Sequence, residues 1–106
     1  MNLDSLGPKI IQKAVSFSAA TNNVVIAGVV GKLFKVVQIF LALDANANLI
    51  FKSGTTAISG TIPMLANGSV TLDFPQPLTG VALDDGFIIT SDSTANVGGT
   101  VWYILS

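Results

Sequence analysis

The sequence between Leu49 and Phe74, LIFKSGTTAISGTIPMLANGSVTLDF, constrains the fold of this chain more than any other segment. It predicts three short β-strands separated by two turns. Apolar and polar residues alternate strictly in Ser69–Phe74, which predicts a strand with one buried and one solvated face. The residues predicted to face the core are Val70, Leu72 and Phe74. Asn67–Gly68 precedes this strand and predicts a tight type I′ hairpin turn, because that turn needs positive φ at both central residues.

Similar short apolar runs occur along the rest of the chain, with turn residues about every 8–12 positions. Pro63 predicts that its strand lies at a sheet edge or is irregular, because proline cannot donate to a strand ladder. The longest predicted loop is Pro75–Gly86, and Ser93–Gly99 is predicted to be a turn. The other predicted strands are Lys9–Phe17, Val24–Gly28, Leu33–Leu43, Phe87–Asp92 and Thr100–Leu105. This spacing predicts an all-β, single-domain jelly-roll or β-sandwich of about eight antiparallel strands.

The predicted domain organisation is an N-terminal arm, residues 1–8, followed by one β-sandwich domain, residues 9–106. Gly7–Pro8 breaks any regular structure between the two parts. The arm has two interpretations: a frayed terminus, or a segment that docks on a neighbouring subunit with Leu3 and Leu6 among its apolar anchors. It lacks a basic region followed by an apolar core, so we expect no signal peptide.

The residue types missing from the sequence restrict its chemistry. It contains no His, Cys, Glu or Arg, and its charged side chains are five Lys and six Asp. General acid–base catalysis, zinc binding and arginine-based readout of nucleic acid draw mostly on the missing types. We therefore expect no enzymatic activity, no cofactor, no metal and no nucleic-acid partner. No stretch approaches the ~20 consecutive apolar residues of a spanning helix, so we expect no membrane partner.

Two short motifs allow a functional and a structural interpretation. Asp84–Asp85–Gly86 would offer carboxylate oxygens to Ca²⁺, but two Asp before a Gly are first of all a turn signal. Trp102 and Tyr103 would stack on a sugar ring, whereas packing in the core or an interface is the usual role of aromatics in an apolar strand.

The chain is unusually poor in charge, with 10% charged and 50% hydrophobic residues, which indicates an oligomer or a larger assembly. Strands Leu33–Leu43 and Thr100–Leu105 are apolar on both sides, whereas a two-layer sandwich buries only one. The second side needs a cover, either a long loop or a neighbouring subunit. In the subunit interpretation the contact residues are Phe34, Val36, Gln38, Phe40 and Trp102.

Three segments resemble small structural proteins of tailed bacteriophages. They are FKSGTTAISGTIPMLANGSVTLDF at Phe51–Phe74, VGGTVWYILS at Val97–Ser106, and the apolar segment Val24–Leu43 with its Gly31–Lys32 step. The resemblance covers roughly Phe17 to Ser106 and is carried by short, turn-rich motifs.

The resemblance implies a decoration (cement) protein: a jelly-roll domain, trimeric, bound to the major capsid protein on the outside of a phage head. In that interpretation the N-terminal arm binds the capsid, and its contact residues are Leu3, Leu6 and Ile10. It implies that the chain is made in the host bacterial cytoplasm and resides on the capsid surface of the virion. The alternative is a receptor- or glycan-binding knob of a phage fibre or tail. Such a knob needs exposed aromatics on loops, for which Phe87 at a loop exit is the candidate.

Overall fold

The computed structural model describes residues 9–106, and that part of the chain folds into β-strands without a helix. The strands are β1 Ile11–Phe17, β2 Asn22–Ile26, β3 Phe34–Leu43, β4 Ala47–Ser53, β5 Thr56–Ala57, β6 Ile62–Met64, β7 Ser69–Thr79, β8 Phe87–Ser91 and β9 Val97–Leu105. None of these residues forms a helix that is long and apolar enough to cross a membrane.

The strands form two antiparallel sheets. The first sheet has the order β1-β9-β3-β7, and the second has the order β2-β8-β4-β5, with β6 also paired to β4. The pairing is nested: β1 pairs with β9, β2 with β8, β3 with β7, and β4 with β5 and β6. The predicted all-β fold is therefore confirmed as two antiparallel sheets, with nine strands among the described residues where about eight were predicted.

The strand registers place the connecting loops at two opposite ends. At one end, the tip end, lie residue 9, loops 27–33 and 80–86, and the last residue of β9. At the other end, the groove end, lie loops 18–21, 44–46, 65–68 and 92–96. The core between the sheets is apolar, and three aromatic rings cross it. Phe87 lies between Phe34 and Phe51, with ring centroids 5.4 and 5.5 Å away.

Two strands are longer than the sequence predicted. β7 continues through the predicted loop to Thr79, and its two prolines, Pro75 and Pro77, are tolerated because β7 is an edge strand whose register with β3 jumps there. β9 begins at Val97 and includes Gly98–Gly99, which were predicted to be part of a turn. Those glycines pair with β1 on one side and β3 on the other.

The predicted core face of the β7 segment is confirmed. Its three apolar side chains, Val70, Leu72 and Phe74, are half-buried and pack against the core, and the residues between them are exposed. Their burial is partial because β7 is the last strand of its sheet.

The Asn67–Gly68 prediction is wrong in both turn type and connection. Only Asn67 has positive φ, 58°, and the Gly68 amide donates to the Leu65 carbonyl at 3.0 Å, so Asn67 is the third residue of the turn. Positive φ at that position alone is the type II arrangement. The turn also joins β6 in the second sheet to β7 in the first, so it closes no hairpin.

We expect Gly68→Val to lower the stability by about 1–3 kcal/mol, for a reason other than φ. A Cβ at Gly68 lies 2.9 Å from the Leu65 carbonyl oxygen, the acceptor of its own turn hydrogen bond. Thermal unfolding compares this variant with Gly60→Val, where a Cβ meets nothing within 4 Å. Equal melting temperatures for the two variants would show that the turn tolerates the clash.

Candidate functional site

The outer face of the first sheet carries aromatic residues that the domain does not bury. Alternation in β9 places Val101 and Tyr103 in the core and turns Trp102 outward. Its partner on β3 is Gln38, and Phe40 lies two residues further along β3 with 37% of its surface exposed. We call four of the outward residues of the two central strands the outer stripe: Gln38, Phe40, Trp102 and Ile104.

A β-bulge in β3 determines which predicted contact residues reach this surface. The register shifts between Val36 and Gln38, so the strand changes face there. Phe34 and Val36 point into the core, with 1% and 0% of their surface exposed, and their placement on an outer contact surface was wrong. Gln38, Phe40 and Trp102 do share the outer face as predicted. The two-sided apolar pattern of this strand thus arises partly from its bulge.

The stripe is flanked by uncharged polar groups. Gln12 of β1 lies opposite Trp102, and Thr100 and Thr71 lie on either side of Phe40. Two charged residues, Lys35 and Asp73, lie at the margins of the stripe. Half-exposed aromatics with amide and hydroxyl neighbours are suited to association with another protein surface.

The residues predicted to bind the capsid fall at the tip end or outside the described part. Ile10 is exposed just before β1. Leu3 and Leu6 lie outside the described residues, and the arm stays a prediction.

The Asp84–Asp85 pair organises loops. An Asp84 Oδ1 accepts the Gly31 amide at 2.6 Å, and an Asp85 oxygen accepts the hydroxyl of buried Ser53 at 2.8 Å. The Ser53 hydroxyl in turn accepts the Val81 amide at 2.9 Å. Within residues 9–106 no three acidic or metal-ligating side chains come together. The turn interpretation therefore accounts for the positions of both carboxylates.

The aromatic candidates for sugar stacking are mostly buried. Phe87 has 0% of its surface exposed and Tyr103 has 8%, so neither presents a ring to solvent. The loops between the described strands contain no aromatic residue. Of the three candidates, only Trp102, on the outer stripe, presents a half-exposed ring.

Two matching Asp–Asn clamps, which the sequence analysis missed, close the groove end. The Asp44 carboxylate accepts the backbone and side-chain N–H groups of Asn96 at 2.8 and 2.6 Å. The Asp92 carboxylate accepts the same two groups of Asn48, both at 2.8 Å. Asp44 and Asp92 are the first residues of loops 44–46 and 92–96. Their partners are Asn96, which ends loop 92–96, and Asn48, the second residue of β4 after loop 44–46. The sequence signal was a repeated D-x-x-A-N pattern, DANAN at 44–48 and DSTAN at 92–96.

These clamps lower the pKa values of both carboxyls. The Asn96 side chain and then its backbone N–H stabilise ionised Asp44, and the Asn48 backbone and then its side chain stabilise ionised Asp92. Because the folded pKa is the lower one, this stabilisation is complete above the unfolded pKa, about 3.9, and is lost as the pH falls through the folded pKa.

We therefore expect the melting temperature to fall as the pH drops below about 4. Circular dichroism melts between neutral pH and strong acid measure this fall. Asp92→Asn should have a lower melting temperature at neutral pH and a shallower loss in acid, since one clamp is already broken. Asp73→Asn, a mid-strand substitution that leaves both clamps intact, is the control and should keep the wild-type profile. If the melting temperature of Asp92→Asn depended on pH as that of the wild type does, the clamps would not be the source of the acid sensitivity.

The pairing defines a two-sheet antiparallel β-sandwich. No protein-family model matches the chain, and no curated protein is similar to it. Among solved structures, the fold is similar to a chain from Bacillus endospore appendages, described as a novel family of disulfide-linked pili. The TM-score is 0.52 and the identity 19%, over 93% of this chain and 88% of that chain. At this identity the similarity shows a shared fold. The present sequence contains no cysteine with which to form a disulfide.

Proposed function

We propose that this chain is a non-catalytic structural protein that decorates the outside of a bacteriophage head and stabilises it. The observation that carries the proposal is the outer stripe, an aromatic and aliphatic surface in the middle of a sheet that the domain itself leaves uncovered. Such a surface fits a protein whose work is contact with other proteins. The missing residue types, His, Cys, Glu and Arg, fit a role without catalysis.

The phage-specific part of the proposal rests on the resemblance of Phe51–Phe74 and Val97–Ser106 to small phage structural proteins. The nested strand pairing supports it, because a folded-over hairpin wrapped into two sheets is the arrangement of a jelly roll, a fold common in capsid proteins. The assembly we propose is a homotrimer that contacts the major capsid protein.

A second candidate is a subunit of a filamentous appendage. The shared fold with the endospore appendage chain favours it, since that chain belongs to a pilus. Because this sequence has no cysteine, its subunits would have to be held by non-covalent contacts alone.

Quantitative mass spectrometry of intact particles tests the proposed role. We expect the chain to copurify with phage heads in a copy number proportional to that of the capsid shell protein. A copy number proportional to a tail or fibre protein would overturn decoration. Filaments of the purified chain in negative-stain micrographs, together with its absence from heads, would favour the appendage.

Light scattering on the purified chain tests the oligomer and the stripe together. We expect a trimer, and we expect Trp102→Gln to weaken it because Trp102 is the largest side chain of the stripe. Ile88→Gln is the matched control, since Ile88 is a half-buried aliphatic on a central strand of the second sheet. A monomeric wild-type chain, or equal loss in both variants, would remove the stripe as the contact surface.

A further inference from the structure

The side-chain charges of the described residues are separated along the strands. Three of the lysines lie at the tip end, where two aspartates leave a net charge of +1: Lys9, Lys32, Lys35, Asp84 and Asp85. The groove end carries Asp44 and Asp92 and, among residues 9–106, no lysine, so its net charge is −2. Lys13 and Asp73 lie near mid-strand, and the Lys52 ammonium is turned back along the second sheet to the side chain of Asn22, 3.5 Å away. The overall charge of −1 therefore conceals two ends of opposite sign.

At the tip end, two loops that are hydrogen-bonded to each other expose apolar side chains. In loop 27–33 the Lys32 amide donates to the Val29 carbonyl, and Gly31 has φ of 75°, so Val30 stands at the apex of a tight turn with 87% of its surface exposed. In loop 80–86 a turn of the same form places Leu83 at its apex, followed by Asp84 with φ of 72°.

Two hydrogen bonds join the two turns into one projection. Asp84 accepts the Gly31 amide through its side chain and donates its own amide to the Lys32 carbonyl at 3.1 Å. Positive φ in a non-glycine residue is uncommon, and this pair of bonds holds Asp84 in it. We call this projection, with Val30 and Leu83 at its apices, the tip.

The groove end presents a concave surface. An open groove of about 450 Å³ lies there, with Pro63, Met64 and Leu65 on one side and the clamped Asp92 on the other. Leu65 has 73% of its surface exposed, although it lies beside a buried methionine. The groove is thus apolar along one wall and negatively charged along the other. The Asn48 clamp keeps Asp92 ionised to lower pH than an ordinary aspartate.

We propose that the tip of one copy inserts into the groove of a second copy, so that subunits associate head to tail along their strands. Charge complementarity selects a second copy as the partner: Lys32 next to the tip meets Asp92 in the groove, while Val30 and Leu83 meet the wall formed by Met64 and Leu65. The two surfaces of one molecule differ, so the contact is heterologous and can continue from copy to copy. This inference rests on the proposed structural role and adds a contact separate from the outer stripe.

Sedimentation of two single variants and of their mixture tests the contact. Val30→Asp disables the tip and leaves the groove intact, whereas Leu65→Asp disables the groove and leaves the tip intact. Both side chains are exposed, so both variants should keep the wild-type melting temperature. We expect the wild type to form concentration-dependent larger species that shrink when salt is added. We expect each variant alone to associate at least about tenfold more weakly than the wild type. Val30→Asp brings a like charge against Asp92, and Leu65→Asp brings a charge against the apolar apices of the tip.

In the equimolar mixture of the two variants, one tip–groove contact should form per pair, and the assembly should grow no further. The groove of the Val30→Asp chain accepts the tip of the Leu65→Asp chain, and the remaining ends are blocked, so discrete pairs of units form. Val24→Asp is the matched control, because Val24 is 65% exposed on the second sheet away from both loops, and it should associate like the wild type.

A mixture that stays unassociated, or a single variant that associates like the wild type, would overturn the head-to-tail contact. Neither result would affect the copy number of the chain in particles, which tests the structural role separately.

Discussion

Gly99→Ala should leave the domain too unstable to purify as a folded protein, with a loss of about 3 kcal/mol or more. Gly99 has φ of 155°, a region that side chains rarely adopt. A Cβ at this position would overlap the carbonyl oxygen of Phe40 in the paired strand β3. Neither backbone can move away, because β9 is held between β1 and β3.

Gly98→Ala is the internal control for this prediction. The neighbouring glycine lies in the same strand, but a Cβ there meets only the Val15 carbonyl oxygen at 3.8 Å, an ordinary contact. We expect its melting temperature to stay close to that of the wild type in the same urea and thermal unfolding experiments. Similar losses in Gly98→Ala and Gly99→Ala would show that strand propensity, and not the contact with Phe40, controls the site.

The sequence predicted the fold best where alternation is regular. Ser69–Phe74 alternates without interruption, and its apolar residues face the core. For β3 the predicted outward face was partly wrong, because an extra residue between Val36 and Gln38 shifts the alternation by one position. No residue type in this segment indicates the bulge. Two residues assigned to the outside therefore lie inside.

Turn chemistry predicted where the chain reverses but not what the reversal joins. Asn67–Gly68 does form a turn, yet it passes from one sheet to the other, because the partners of β6 and β7 are β4 and β3. Partners that lie far apart in the sequence decide this. For the same reason Pro75 and Gly98 belong to strands: their pairing with distant strands outweighs the local preference for a loop.

The candidate contact surfaces were accessible to sequence analysis only in part. Trp102 and Phe40 stood out as aromatics in two-sided apolar strands, and both do reach the outer face. The separation of charge between the two ends appears only once the topology brings Lys9 and Lys32 to one end and Asp44 and Asp92 to the other. The repeated D-x-x-A-N pattern was readable but has no meaning until the two loops are known to be neighbours.

Phe87→Ala should destabilise the domain by about 3–5 kcal/mol, because the substitution removes the central ring of the core. Phe87 is fully buried, and its ring contacts both Phe34 and Phe51, which come from different sheets. The cavity left behind cannot close without moving both sheets. In a domain of this size each kcal/mol lowers the melting temperature by about 4–8 °C, so the loss is measurable by calorimetry or circular dichroism.

Phe40→Ala is the control for Phe87→Ala, because it removes an aromatic ring of the same size from the surface of the domain. Phe40 lies on the outer face with 37% of its surface exposed, so truncating it opens no internal cavity, and we expect a loss of about 1 kcal/mol in the isolated subunit. Its effect should instead fall on assembly, as a weaker oligomer in light scattering. If Phe40→Ala destabilised the monomer as strongly as Phe87→Ala, the outer stripe would be part of the folding core and no longer a free contact surface.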